Sequence, residues 1–183
     1  ALTLSNMLPL GTKAPEFSLP NTIDGKTYTY AQLRGERATV VMFLCNHCPY
    51  VLHINAQLVA LAAEYQAKGV AFIAISSNDA EKYPADAPDK MQTHAQAEGY
   101  CFPYLYDESQ ATALAYDAAC TPDFYVFDAA DALVYRGQMD DSRPKTERPV
   151  TGIDLRRALD ATLTGTAVDP IQRPSAGCNI KWK

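Results

Sequence analysis

Two uninterrupted apolar runs, residues 39–44 and 70–76, stand out along the chain. Neither carries a charge, and both are rich in β-branched and aromatic residues, the pattern of parallel strands covered on both faces. Between them Val51, Ile54, Leu58, Leu61 and Ala62 recur at three- and four-residue steps, which is one face of a helix. That helix begins at the pair Cys45 and Cys48 and runs to about Lys68, where Gly69 supplies a stop. Two parallel strands joined by a helical crossover are therefore predicted at the centre of the fold.

The flanking segments are shorter. Residues 9–20 hold three prolines and read as an irregular lead-in with an edge strand at 16–19. Asp24-Gly25 is a turn signal and residues 27–30 alternate as a returning strand, which gives an N-terminal β-hairpin. Residues 31–34 form a helical turn closed by Gly35. Residues 80–88 contain two prolines and read as loop, 89–98 as a polar helix stopped by Gly99, and 104–106 as a short strand. A helix over 108–118 is expected to bury Ala111, Leu114 and Ala115.

Residues 123–127 and 132–136 are strands joined by a four-residue hairpin loop, and 137–149 is loop. The last helix spans 151–163, capped by Thr151 or Asp154, with Ile153, Leu155, Ala158, Leu159 and Leu163 on its apolar face. Residues 166–183 carry Pro170, Pro174 and Gly177 and should be an irregular tail, although Trp182 suggests that its end docks on the body.

A chain of 183 residues suits one domain, residues 9–165 as core and 166–183 as tail. The net charge of −5 and the lack of any basic run argue against nucleic acid and anionic membrane as partners. No apolar run approaches the ~20 residues that span a bilayer. Residues 1–10 show no basic stretch leading into an apolar one, so the expected location is the cytoplasm, or the periplasm if a leader has been removed. Five cysteines are an odd number, which speaks against a fully paired secreted framework and for a catalytic dithiol in a reducing compartment.

The chemistry centres on Cys45-Asn46-His47-Cys48 between strand and helix. Thiols at i and i+3 on a first helical turn lie close enough to form a disulfide, and the helix N-terminus stabilises a thiolate. Half of a zinc site is the competing reading, but Cys101, Cys120 and Cys178 stand singly and supply no second pair. Inert packing is the third. As a cation His47 would favour a neighbouring thiolate; otherwise it is a solvent-facing loop residue. Thr121-Pro122 lies just before a strand and, if cis, turns backbone groups outward; a trans bond at a strand entrance is the plainer account.

Strand, Cys-x-x-Cys on a helix, strand, and Thr-Pro before an antiparallel hairpin resembles the thioredoxin superfamily. The lead-in Gly11-Thr12-Lys13-Ala14-Pro15-Glu16-Phe17-Ser18-Leu19 with Asp24-Gly25-Lys26 looks like its redoxin branch, which includes peroxiredoxins and thiol-disulfide oxidoreductases. The string Cys45-Asn46-His47-Cys48-Pro49-Tyr50-Val51, with Thr121-Pro122-Asp123-Phe124 and the terminal Gly-Cys-Asn-Ile-Lys-Trp, looks like a little-characterised subgroup. The resemblance covers residues 9–165. It implies an α/β thioredoxin-like fold with a central mixed sheet flanked by helices, a cis Pro122 facing the dithiol, Cys45 as attacking thiol and Cys48 as resolving thiol.

Departures from the family pattern matter. Leu44 stands where thioredoxin has Trp, and Asn46-His47 where it has Gly-Pro. The peroxiredoxin pattern Pro-x-x-x-Thr-x-x-Cys places Val41 at the Pro and Cys45 at the Thr position, against efficient peroxide reduction. His47 resembles the His of strongly oxidising bacterial disulfide oxidases. The expected activity is thiol-disulfide exchange with protein or small-molecule disulfides, using an external electron donor or acceptor and no cofactor, in a monomer or homodimer. The alternatives are a thiol peroxidase oxidised to sulfenic acid at Cys45 or Cys48, and a module holding Cu(I) or Zn through both thiolates with His47 or a tail cysteine.

Cys120, next to Thr121, is expected as a third, modulating thiol or a small buried residue, and Cys178 as a resolving thiol or a packing residue. Cys101 is expected in the core. Asp107, Glu16 and Asp123 are candidate proton carriers if they reach the site, and His53 is expected on the helix surface.

Overall fold

The computed structural model describes residues 2–183. In chain order the elements are β1 (Leu2–Leu4), β2 (Ser18–Pro20), β3 (Thr27–Thr29), α1 (Tyr30–Leu33), β4 (Ala38–Phe43), α2 (Pro49–Gln66) and β5 (Val70–Ser76). A single 3-10 turn at Pro84–Asp86 precedes α3 (Pro88–Glu98), β6 (Tyr104–Tyr106) and α4 (Ala111–Ala115). β7 (Cys120–Thr121), β8 (Asp123–Asp128), β9 (Leu133–Gly137), α5 (Ile153–Thr164) and β10 (Ala176–Asn179) complete the chain.

The uncharged run around Val40 becomes the middle of a five-stranded mixed sheet, ordered β6-β5-β4-β8-β9. β4 pairs with β5 in parallel and with β8 antiparallel, and no residue of β4 meets solvent. Successive side chains of a strand face opposite sides, so β4 feeds two cores. Val40 and Met42 pack with Val51, Ile54 and Leu58 of α2, Met91 of α3 and Leu155 and Leu159 of α5. Val41 and Phe43 pack on the other face with Phe17, Tyr30, Ala113, Tyr116 and Ile180. At about 1.5–3 kcal/mol for each large apolar side chain removed from water, this doubly covered strand fixes the frame that carries the cysteines.

The tail departs from expectation. Residues 176–179 are not irregular: β10 is the central strand of a second sheet, β1-β10-β7. Leu2 pairs with Cys178 and Leu4 with Ala176 on one side, and Cys178 pairs with Thr121 on the other. Gly177 makes this possible, because a Cβ there would sit 1.8 Å from the Thr121 carbonyl oxygen. Beyond β10, Ile180 is 1 % exposed whereas Trp182 is 39 % exposed, so Ile180 is the residue that docks the tail.

Smaller differences have local causes. α4 has five residues, and it buries Thr112 and Ala113 while Leu114 is 68 % exposed. The carboxylate of Asp107 accepts from the N–H groups of Thr112 and Ala113, which starts the helix later than the apolar pattern suggests. α5 is preceded by Gly152 at φ +70, a left-handed position, so neither Thr151 nor Asp154 is its cap. Ile153 then falls on the exposed side.

Candidate active site

β4 ends at Phe43, and Leu44 continues its direction by donating its N–H to the Ile75 carbonyl at 2.9 Å. The chain then turns through Cys45, Asn46 and His47 into α2. Pro49 takes the first helical position, where a missing N–H costs nothing, and Cys48 is the residue before it, in extended conformation. Only Cys48 therefore stands at the helix end; Cys45 lies in the loop, one turn short of the expected place. Each residue is 1 % exposed. Both thiols are free.

The two sulfurs converge on one residue of β7. The Cys45 Sγ lies 3.5 Å from Thr121 Oγ1, and the Cys48 thiol donates to the Thr121 carbonyl at 3.5 Å. The Thr121–Pro122 peptide is cis. A shallow cleft lined by Tyr50, Ile54, Pro122, Met139, Arg143 and Ala176 adjoins this point.

A buried carboxylate shapes the loop between the cysteines. Asp86, at the end of the 3-10 turn, accepts from the Asn46 N–H at 2.9 Å and from Asn78 Nδ2 at 2.9 Å. Nδ1 of His47 lies 2.9 Å from the same carboxylate. The Asn46 side chain donates to the Ala85 carbonyl at 2.9 Å and accepts from the buried Tyr104 hydroxyl at 2.8 Å. His47 also stacks on Tyr83, with ring centroids 6.4 Å apart. Both inner residues of the motif are thus tied to residues 83–86, and His47 faces a carboxylate as well as the dithiol.

The reduced pair is electrically unequal. Cys48 is held below the ordinary thiol range, first by the hydrogen bond it receives from Cys45, then by the thiol of Cys178 and the N–H groups of Val51 and Cys178. Cys45 is pushed up, first because its proton is shared with Cys48, then by burial and by the charge of Asp86. Of the two sulfurs, Cys48 stands at the α2 N-terminus, where the free N–H groups and the helix dipole favour negative charge.

The remaining candidates sort cleanly. Cys178 packs on the apolar cluster that contains both active-site cysteines and contacts Cys48. Cys120 is fully buried, and burial raises its pKa; its sulfur lies near the carbonyls of Pro122 and Ser175. Cys101, expected in the core, is exposed. Asp107 bonds Ser77, Glu16 accepts from the N–H of Ala31, and Asp123 bonds Ser5 and Tyr125, so each is committed elsewhere. His53 meets Ser142 at 2.8 Å.

Asp86 is the residue that sequence reasoning misses. Its one signal is position: a carboxylate in the loop that follows the C-terminal end of a parallel strand, where binding residues of α/β sheets gather. Among the described residues, Cys45, His47 and Asp86 also form a possible metal set, with ligand atoms within 4.8 Å of one another. Three donors of three kinds fall short of the four that a structural zinc takes, and Asp86 already accepts from Asn46 and Asn78.

The Redoxin family model matches residues 9–153. A crystal structure of an uncharacterized conserved protein from Geobacillus kaustophilus shares 56% identity and superposes with a TM-score of 0.98, covering 100% of this chain and 97% of that one. A curated Mycobacterium tuberculosis (strain CDC 1551 / Oshkosh) protein named "Putative peroxiredoxin MT2597" is 27% identical over 117 residues, which are 64% of this chain and 69% of that protein. A secreted Mycobacterium tuberculosis disulfide oxidoreductase has the same fold at 17% identity, with a TM-score of 0.61 over 79% of this chain and 95% of that one.

Proposed function

The chain belongs to the redoxin family, and from that premise we propose that it is a thiol-disulfide oxidoreductase cycling Cys45 and Cys48 between dithiol and disulfide. The observation that carries this reading is the pair of free thiols, both set 3.5 Å from Thr121 beside a cis proline. In the reductive direction a thiolate attacks a substrate disulfide and forms a mixed disulfide. The second thiol then displaces the reduced product and closes the internal disulfide. The family resemblance assigns the attack to Cys45. The electrostatics of the reduced site favour Cys48, because the more stable thiolate is the larger population of nucleophile, and we assign it to Cys48.

The test is redox titration against glutathione with peptide mapping, together with turnover of insulin disulfides. A Cys45–Cys48 disulfide that forms reversibly and loss of turnover in Cys48→Ser are expected. A pair that stays reduced through the whole range would overturn the reading.

A second reading has one observation in its favour: Cys48 occupies the peroxidatic position of the peroxiredoxin pattern and stands at the α2 N-terminus. Attack on hydrogen peroxide would give Cys48 sulfenic acid and water, and Cys45 would condense with it to the same disulfide and a second water. Peroxide turnover with dithiothreitol as donor, compared with insulin reduction, separates the two.

A further inference from the structure

Three sulfurs, not two, surround the active-site helix terminus. β10 lies against β7, with Cys178 directly opposite Thr121, the residue on which the dithiol converges. Gly177 lets the strand approach so closely that any side chain there would meet the Thr121 carbonyl. Cys48 Sγ lies 3.5 Å from the carbonyl of that same Thr121, and Cys178 packs on the apolar cluster that contains Cys48. Cys48 therefore has a thiol neighbour on each side, Cys45 from the loop and Cys178 from the tail. Cys178 is the least buried of the three.

We propose that Cys178 is a second resolving thiol for Cys48, so that the site passes through two alternative disulfides, Cys45–Cys48 and Cys48–Cys178. This rests on the reading above that Cys48 is the reactive sulfur. When Cys48 holds a substrate sulfur as a mixed disulfide, Cys178 attacks the Cys48 Sγ. The Cys48–Cys178 bond forms, the bond to the substrate breaks, and the leaving thiolate takes the proton that Cys178 gives up. The two electrons that reduce the substrate come from Cys48 and Cys178. From a Cys45–Cys48 disulfide the same attack displaces Cys45, which takes the proton, with no net oxidation or reduction.

The geometry gives each disulfide a distinct exposure. Cys45 and Cys48 are both buried, whereas Cys178 is partly exposed. A Cys48–Cys178 bond brings one of its sulfurs to the partly exposed strand. Burial holds the Cys178 thiol up to about 11 while Lys181 nearby draws it down, so it waits as a thiol and gives its proton up during exchange.

The experiment uses the full chain with Cys101→Ser, which removes the exposed thiol, and 5,5′-dithiobis(2-nitrobenzoate) as the disulfide. Cys45→Ser in this background is expected to release two thionitrobenzoate ions per molecule and retain no adduct, with peptides containing residues 48 and 178 joined. Adding Cys178→Ser should leave one ion released and a stable adduct on Cys48. Cys45→Ala repeats the test with a second side chain, and thermal melts check that each variant is folded. A stable adduct in Cys45→Ser itself would overturn the role of Cys178 and leave Cys48 as the attacking thiol. No release from Cys45→Ser at all would overturn both.

Discussion

Nδ1 of His47 lies 2.9 Å from the Asp86 carboxylate, so the imidazole inside the motif is paired with an anion that also bears on Cys45. Two substitutions should therefore move the site in opposite directions. His47→Leu leaves the carboxylate without this donor, which disfavours charge on the dithiol and lowers the reduction potential. Asp86→Asn removes the charge, lowers the Cys45 pKa, and raises the potential. A change of about 1.4 kcal/mol corresponds to ~30 mV for this two-electron couple, and shifts on that order are expected. Glutathione titration of both variants checks the signs, and equal signs would contradict the pairing.

Asp123 links stability to pH. It is fully buried between Ser5 and Tyr125, and burial raises its carboxyl to about 7. A raised value means that the folded protein holds the proton more tightly than the unfolded chain does. The contribution is complete below about pH 4 and is lost as pH rises through about 7, at up to ~1.4 kcal/mol per pH unit. Asp123→Asn keeps a polar side chain and cannot ionise. Urea denaturation from pH 4 to pH 8 should show a clearly smaller loss of stability in that variant.

The tail is anchored by Ile180, not by Trp182. Ile180→Ala should cost about 2–5 kcal/mol, the usual range for emptying a closed apolar site. Trp182→Ala should cost about 1 kcal/mol or less. Chemical denaturation of the two variants makes the comparison directly.

Gly177→Ala tests the close approach of β10 to Thr121. An added Cβ would lie 1.8 Å from a backbone oxygen, so the strand must move away. The expected cost is about 1–3 kcal/mol, together with a higher Cys48 pKa as the donors from Cys178 withdraw. Thiolate absorbance followed across pH reads the second effect. An unchanged Cys48 titration would mean that Cys178 does not support the thiolate.

Much of this was legible in the sequence for a physical reason. β4 and β5 are covered on both faces, so nearly every residue had to be apolar, and α2 shows its buried face as a regular period. The Cys-x-x-Cys pair and Thr121-Pro122 belong to the same strong local grammar. β10 has no such mark: Ala176-Gly177-Cys178-Asn179 carries no β-branched residue, and its partners are some 58 and 174 positions away in the numbering. Asp86 was hidden in the same way. Nothing in Pro84-Ala85-Asp86 announces that its carboxylate will be buried beneath a loop 40 residues earlier.

The approach of β10 also sets an order of events at birth. Cys178 lies 130 positions after Cys48, so at 5–20 residues per second roughly 6–26 s separate their synthesis. Through that interval β4 and α2 can already assemble, but the strand that covers Thr121 does not yet exist. The newborn dithiol is then open to any passing disulfide. Chains halted on the ribosome before residue 176 should be alkylated at Cys48 faster than released ones, and the site shuts only when the tail arrives.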